Sequence, residues 1–177
     1  MRPNLLLTGP PRIGKTTLVL RVLDSLPSES ACGFFTRELQ RDGRRVGFAV
    51  ETLAGESAVL AHVDLRSPYR VGRYRVDLPA FESTALPAID LARASVPIVV
   101  IDEIGKMECF SARFGELVIA ALESDRAVLA TIALRGDCFI ESLKVRRDVT
   151  LLHVTQHNRD ELVGWVVDWV QEVLVGA

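Results

Sequence analysis

Two short stretches of this 177-residue chain combine residue types and spacings that could do chemistry on phosphates. The first, Gly9-Pro10-Pro11-Arg12-Ile13-Gly14-Lys15-Thr16, fits the pattern GxxxxGK[ST]. In such a loop the glycines let the backbone turn so that successive N–H groups face phosphate oxygens, and a following helix adds its positive N-terminal end. Lys15 would reach the β- and γ-phosphates, and the Thr16 hydroxyl would complete the coordination of a magnesium ion. The second stretch, Pro97-Ile98-Val99-Val100-Ile101-Asp102-Glu103, is an apolar, β-branched run ending in two acids. Ligands of open α/β sheets bind beyond the carboxyl ends of the strands. There Asp102 matches the acid that holds magnesium, directly or through water, and Glu103 is placed to orient or deprotonate an attacking water. Taken singly, the loop could be a structural turn with a solvated lysine, and the acids a strand reaching solvent. Their coincidence in one chain favours the chemical reading.

The elements that would position these residues alternate between strand-like and helix-like segments, the pattern of a parallel α/β sheet. Asn4 to Thr8 reads as a buried strand, and Lys15 to Leu26 has helical spacing up to Pro27. Short alternating runs follow at Gly33 to Leu39, Val46 to Thr52 and Ala58 to Val63, separated by the hairpin signals Asp42-Gly43 and Ala54-Gly55. These predict an antiparallel insert over about residues 33–63. A broken helix is expected around Pro87, and then three strand and helix units: Ile98 to Asp102 with Phe110 to Ser124, Ala127 to Thr131 with Phe139 to Val145, and Thr150 to Val154 with Arg159 to Leu174. The expected fold is one α/β domain over residues 1–177, with a mainly parallel sheet of about five strands flanked by helices.

Composition bounds the partners. Of 21 basic side chains, 18 are arginines and only Lys15, Lys106 and Lys144 are lysines, against 23 acids, for a net charge of −2. That balance gives no global field to attract nucleic acid, so any basic site is local. Cys32, Cys109 and Cys138 are odd in number, far apart and in no CxxC pair, which suits reduced thiols in the cytoplasm. The apolar start at Met1 to Leu7 turns to Thr8-Gly9 too early for a signal segment, and no run approaches the roughly 20 residues of a membrane span. His62, His153 and His157 lack metal-ligand spacing.

Further residues make the reading specific. Thr8-Gly9-Pro10-Pro11, Gly14-Lys15-Thr16-Thr17, Gly33-Phe34-Phe35-Thr36, Arg45-Val46-Gly47-Phe48, Arg70-Val71-Gly72-Arg73-Tyr74, Val100-Ile101-Asp102-Glu103-Ile104-Gly105-Lys106-Met107-Glu108 and Asn158-Arg159-Asp160 together resemble the cancer-related nucleoside-triphosphatase family, over nearly the whole chain. The resemblance implies a P-loop fold and magnesium-dependent hydrolysis of ATP, GTP and other nucleoside triphosphates to the diphosphate and phosphate. It implies nucleotide contacts at Gly9, Pro10, Pro11, Arg12, Ile13, Gly14, Lys15, Thr16 and Thr17. It implies others at Val99, Val100, Ile101, Asp102, Glu103, Ile104, Gly105 and Lys106. Arg12 departs from the pattern, since glycine is expected there. P-loop proteins with a Glu after the Asp also resemble one another in placing an extra strand between the loop strand and the acidic strand. Ala127 to Thr131 is the candidate, and Thr131 at its end could sense the γ-phosphate.

Several constellations keep alternatives open. Lys106 and Arg135 are candidates for neutralising transition-state charge. Arg66, Arg70, Arg73 and Arg75, interleaved with Tyr69 and Tyr74, could be a solvated loop, a lid over the triphosphate or a stacking surface for single-stranded nucleic acid. An arginine-bearing lid would suit a small-molecule or nucleoside kinase sharing the same loop, and a regulatory or nucleic-acid-associated switch is the third reading. Asn158 with Glu161 has the form of a helix capping box, and Trp165 and Trp169 that of core or staple residues. No guanine-reading Asn-Lys-x-Asp sequence is present, and no base preference is legible.

Overall fold

The computed structural model describes residues 4–176 apart from 28 and 93–95. Met1, Arg2 and Pro3, part of the apolar start, lie outside the described residues. The chain runs β1 (Asn4–Gly9), α1 (Lys15–Leu23), β2 (Ala31–Arg41), β3 (Arg44–Thr52), β4 (Ser57–His62), β5 (Arg70–Val71), β6 (Tyr74–Val76), α2 (Leu78–Ile89), β7 (Ile98–Ile104), α3 (Ala112–Leu122), β8 (Ala127–Ala133), α4 (Cys138–Lys144), β9 (Val149–His153) and α5 (Arg159–Val175). A 3-10 turn at Glu108–Phe110 follows β7.

All nine strands join one sheet in the order β5-β6-β4-β3-β2-β7-β8-β1-β9. This corrects the expectation of about five parallel strands with a separate hairpin insert. Five strands are parallel, β2, β7, β8, β1 and β9, but β2 also pairs antiparallel with β3, so the meander continues the sheet as a wing. The alternating pattern of Gly33 to Leu39 reveals a strand but not its second partner. The expected extra strand is present, as β8 lies between β1 and β7, with Leu7 opposite Thr131. The arginine-rich segment holds two short strands, β5 and β6, which no alternation signalled.

Side-chain alternation divides the interior into two layers. Leu5, Leu7, Val100 and Leu129 pack with Leu18, Val19 and Val22 of α1 and Val166, Val170 and Val173 of α5. On the other face Leu6, Phe34, Val99 and Ile101 meet α2, α3 and α4. Phe34, Phe81 and Phe114 form a triangle of rings with centroids 5.5–6.1 Å apart, joining β2 to α2 and α3. Trp169 belongs to the first layer, whereas Trp165 is exposed, so only one of the pair is core. α2 stays helical through Pro87, two residues from its end, and Asp77 caps its start by accepting from Ala80 N–H. Asp42 and Gly43 both adopt left-handed φ, 52° and 70°, as a two-residue hairpin turn matched to strand twist requires.

Gly33 is where the wing meets the parallel core. Its φ is 127°, and a Cβ there would collide with the backbone of Val100 on β7. Gly33→Ala is therefore expected to destabilise the fold by about 2–4 kcal/mol, from backbone strain plus overpacking. Urea unfolding of the two proteins measures the difference.

Candidate active site

The loop between β1 and α1 is shaped by its backbone. Gly14 has φ 107° and Arg12 has φ 64°, so the position where a glycine was expected does adopt the left-handed conformation, and arginine carries the strain. The Arg12 side chain is exposed and lies 3.7 Å from Glu38. The Lys15 side chain is buried and curls back over the loop, with Nζ donating to the Gly9 carbonyl at 3.1 Å and the Pro10 carbonyl at 3.5 Å.

Asp102, wholly buried at the end of β7, gathers the surrounding elements. Thr16 Oγ1 of α1 donates to its Oδ2 at 2.8 Å, and Thr131 Oγ1 of β8 donates to its Oδ1 at 2.5 Å. The Thr36 N–H of β2 donates to Oδ2 at 3.4 Å. Burial pushes the carboxyl pKa up, while these hydrogen bonds and the charge of Lys15 oppose that rise. Thr131 is thus fully buried, with its hydroxyl bonded to the acid. Glu103, next along the strand, is half-buried. Its pKa is also raised by burial, with Lys15 pulling it down and Asp102 pushing it further up.

A cavity of about 670 Å³ opens over these groups. Pro11, Arg12, Gly14, Lys15, Thr16, Thr17, Glu103, Gly105 and Lys106 line it, together with Arg135. Lys106 and Arg135 are exposed and make no hydrogen bond or ion pair with the described residues. Val99, Val100, Ile101 and Ile104 are instead buried core residues that hold the acids in place. Gly9 packs against the Val154 carbonyl, and Ile13 joins the α1/α5 core layer. Asn158 caps no helix N–H. Its side chain accepts from Thr155 N–H and donates to the His153 carbonyl, so the capping-box expectation fails.

Three groups of lining residues escaped the sequence reading. Glu108, quoted in the acidic segment without a role, is buried beside the site, and burial together with the charge of Glu103 raises its pKa to about 8. Phe35, Phe48, Leu60 and Tyr74 come from the wing, and Arg45 with Glu38 stands among them. Strand alternation marked Phe35, Glu38, Phe48 and Leu60, though not Tyr74, but only the junction of β2 with β7 reveals that they share a cavity with the loop. The arginines at 70, 73 and 75 bond to the carbonyls of Gly72, Arg45 and Ser67 and do not line the cavity. Val71, Gly72 and Tyr74 of the same segment do line it.

A family model described as NTPase matches residues 4–167. The chain belongs to this NTPase family. It is 40% identical over 164 residues to the nucleoside-triphosphatase THEP1 of Thermotoga sp. strain RQ2, covering 93% of each chain. It is 40% identical over 186 residues to the human cancer-related nucleoside-triphosphatase, covering 97% of this chain and 98% of that one. The crystal structure of THEP1 from Aquifex aeolicus superposes with a TM-score of 0.82 at 31% identity, covering 92% of this chain and 96% of that one. The solution structure of a human cancer-related nucleoside triphosphatase also gives 0.82, at 39% identity, covering 97% and 98%. The family resemblance read from the motifs therefore holds.

Glu108 has a consequence for stability. An ordinary glutamate ionises near 4.5, whereas this carboxyl stays protonated to about 8, so between those values the folded protein binds the extra proton and stability falls as pH rises. Glu108→Gln is expected to raise the melting temperature at pH 8 by several degrees and to leave it nearly unchanged at pH 4.5. Thermal melts of the nucleotide-free protein at the two pH values check this.

Proposed function

We propose that the protein hydrolyses nucleoside triphosphates to the diphosphate and phosphate, with magnesium and with little discrimination among bases. Its membership of an NTPase family, and relatives named as nucleoside-triphosphatases, make the chain an enzyme of this class. The observation that carries the finer reading is the Asp102 carboxylate, bonded to the Thr16 hydroxyl at the foot of the phosphate-binding loop.

That hydroxyl and carboxylate suit a magnesium ion, which takes hard oxygen ligands from one or two protein groups and leaves the rest to substrate and water. Thr16 and Asp102 would hold it, and it would supply neutralisation of phosphate charge. The loop N–H groups and Lys15 bind and orient the phosphate chain. Glu103, facing the same cavity, takes a proton from the attacking water, for which its raised pKa suits it better than an ordinary carboxylate. Lys106 and Arg135, uncommitted to any acid, are positioned for charge developing on the transferred group. Without an arginine supplied by another protein, turnover is expected to be slow, on the order of 10⁻⁴ to 10⁻² per second, unless Lys106 or Arg135 supplies that charge. Free cysteines at 32, 109 and 138 fit a cytoplasmic protein, and no described helix is long and apolar enough to cross a membrane.

Phosphate release from ATP, GTP, CTP and UTP, with and without magnesium, should proceed with all four and fail in Lys15→Ala. Glu103→Gln is expected to bind magnesium nucleotide about as tightly as wild type and to lose turnover at least a hundredfold. Full activity in that variant overturns the role of Glu103. In wild type the rate should fall as pH drops through the raised Glu103 pKa, because the carboxylate is the active form.

A further inference from the structure

The cavity over the phosphate loop is one continuous space of about 670 Å³, within the roughly 300–1,000 Å³ range of sites that enclose a whole small ligand. Lys15, Glu103, Lys106 and Arg135 mark the end that suits the γ-phosphate. From there its wall passes to Thr17 and Leu20 of α1, which line it together with residues of the wing. None of the described residues lining it comes from β9 or α5. On that side Arg159, at the start of α5, donates to the Ile13 carbonyl at 3.5 Å and its stem runs beside Gly14, so the loop is backed by protein. Loop amides of this kind cradle the α- and β-phosphates, which sends the linked nucleoside past the start of α1. The walls that it meets there are Leu20 and the wing.

The wing wall is built for a flat ring. Phe35 and Phe48 line it half-buried, and Leu60 and Tyr74 extend it. The Arg45 guanidinium lies 5.0 Å from the Phe48 ring centroid and 5.7 Å from that of Tyr74, held by Glu38 at 2.5 Å and the Tyr74 hydroxyl at 3.0 Å. A guanidinium so fixed offers a plane on which a base stacks, as the rings do. Among the described lining residues there is no asparagine, glutamine or aspartate to read a base edge, and Glu38 is already engaged by Arg45. Recognition therefore falls to faces, and every base has one. Charge agrees with this placement. Three arginines stand against two carboxylates here, since Arg37 pairs with Glu51 while Arg12 and Arg45 share Glu38. Arg12, at 3.7 Å the more distant of the two from Glu38, belongs to the phosphate loop itself, so the positive surplus lies where an anionic chain joins a neutral ring.

We propose that the wing wall of Phe35, Phe48 and Arg45 is the platform on which the substrate's own base stacks, and that stacking without edge recognition is what makes hydrolysis indifferent to the base. The inference rests on the triphosphatase reading above and adds the place of the nucleoside, which the loop motif leaves undetermined. The substrate lies along the start of α1, its γ-phosphate beside Glu103 and its base between Leu20 and the wing. Phe35 and Phe48 then touch the base and not the reacting atoms. They support ground state and transition state alike, so their loss appears in KM rather than in kcat.

The test uses the full chain with magnesium and measures KM and kcat for ATP, GTP, CTP and UTP, together with the inhibition constant of inorganic tripolyphosphate against ATP. Binding of 2-aminopurine riboside triphosphate, whose fluorescence is quenched by stacking, is followed separately. Phe48→Ala and Phe35→Ala are each expected to raise the KM for all four nucleotides about tenfold, the usual scale for a base losing an aromatic support. Tripolyphosphate, which has no base, should inhibit them as it inhibits wild type. Phe48→Tyr, which keeps a ring, should restore the wild-type KM. The fluorescent nucleotide should be quenched on binding wild type and much less on binding Phe48→Ala. Thermal melts verify that the variants fold, and the quenching in wild type decides the matter should an alanine variant not fold. The proposal is overturned by a nucleotide KM unmoved in both alanine variants, by an equal loss for tripolyphosphate, or by no quenching in wild type. A rise in KM in His157→Ala, on the β9 and α5 side, in place of the wing variants overturns it as well. Any of these with Lys15-dependent phosphate release intact removes only this inference. Absence of that release removes the triphosphatase reading instead.

Discussion

A carboxylate buried without water would be costly unless several donors met it, and the site is organised around meeting that demand for Asp102. Its oxygens collect Thr16 from α1, Thr131 from β8 and the Thr36 amide from β2 while the residue itself sits on β7. Four elements far apart in sequence are thereby tied at one point. Hydrogen bonds to a charged group contribute more than neutral ones, and a donor lost here would leave a buried charge short of partners. The placing of the loop, of the strand between β1 and β7, and of the wing all follow from what this one side chain must touch.

The wing changes the meaning of the site as much as the loop does. Had β2 paired only with β3, the meander would be an appendage. Because β2 also pairs with β7, its residues Phe35 to Glu38 arrive beside Glu103, and the aromatic residues of β3 and β6 complete the wall. The two conspicuous cation clusters then separate by partner. Arg37 pairs with Glu51, and Arg12 and Arg45 share Glu38, whereas Lys106 makes no ion pair with the described residues. Lysine is scarce in this chain, and two of its three lysines stand around the phosphate end of the cavity. A compact ammonium on a flexible stem suits a point contact to phosphate.

Most of the parallel core was legible locally. β1, β7, β8 and α5 begin at or within a residue or so of where apolar periodicity placed them, and the GxxxxGK[ST] spacing and terminal acids identified the residues that meet around Lys15 and Asp102. Misjudgements arose where one interaction replaced another of similar local appearance. α1 stops at Leu23 because the Ser25 and Leu26 N–H groups turn to the carbonyls three residues back, a tightening that the apolar spacing does not record. Asn158 has the residue type of a cap but spends its amide on the loop after β9. The arginines at 70, 73 and 75 looked free because their acceptors are backbone carbonyls, which carry no sequence signature. The strand expected to end at Thr131 runs on to Ala133, and the bond of the Thr131 hydroxyl to Asp102 depends on the pairing of β8 with β7, which only the sheet supplies.

The continuity of the nine-stranded sheet also bears on mechanics. Domain closure around a ligand usually turns on a few loop residues that absorb a large change in backbone angles. Here the wall carrying Phe48 and Tyr74 is joined to the strand of Asp102 and Glu103 by a ladder of strand pairings, with irregularities at Leu39/Gln40 and Phe48/Ala49, and at Gly33 the two backbones already touch. Rotating the wing would mean breaking that ladder. Closure by rotation of the wing would therefore cost strand pairing, whereas side chains at the rim of the cavity carry no such cost.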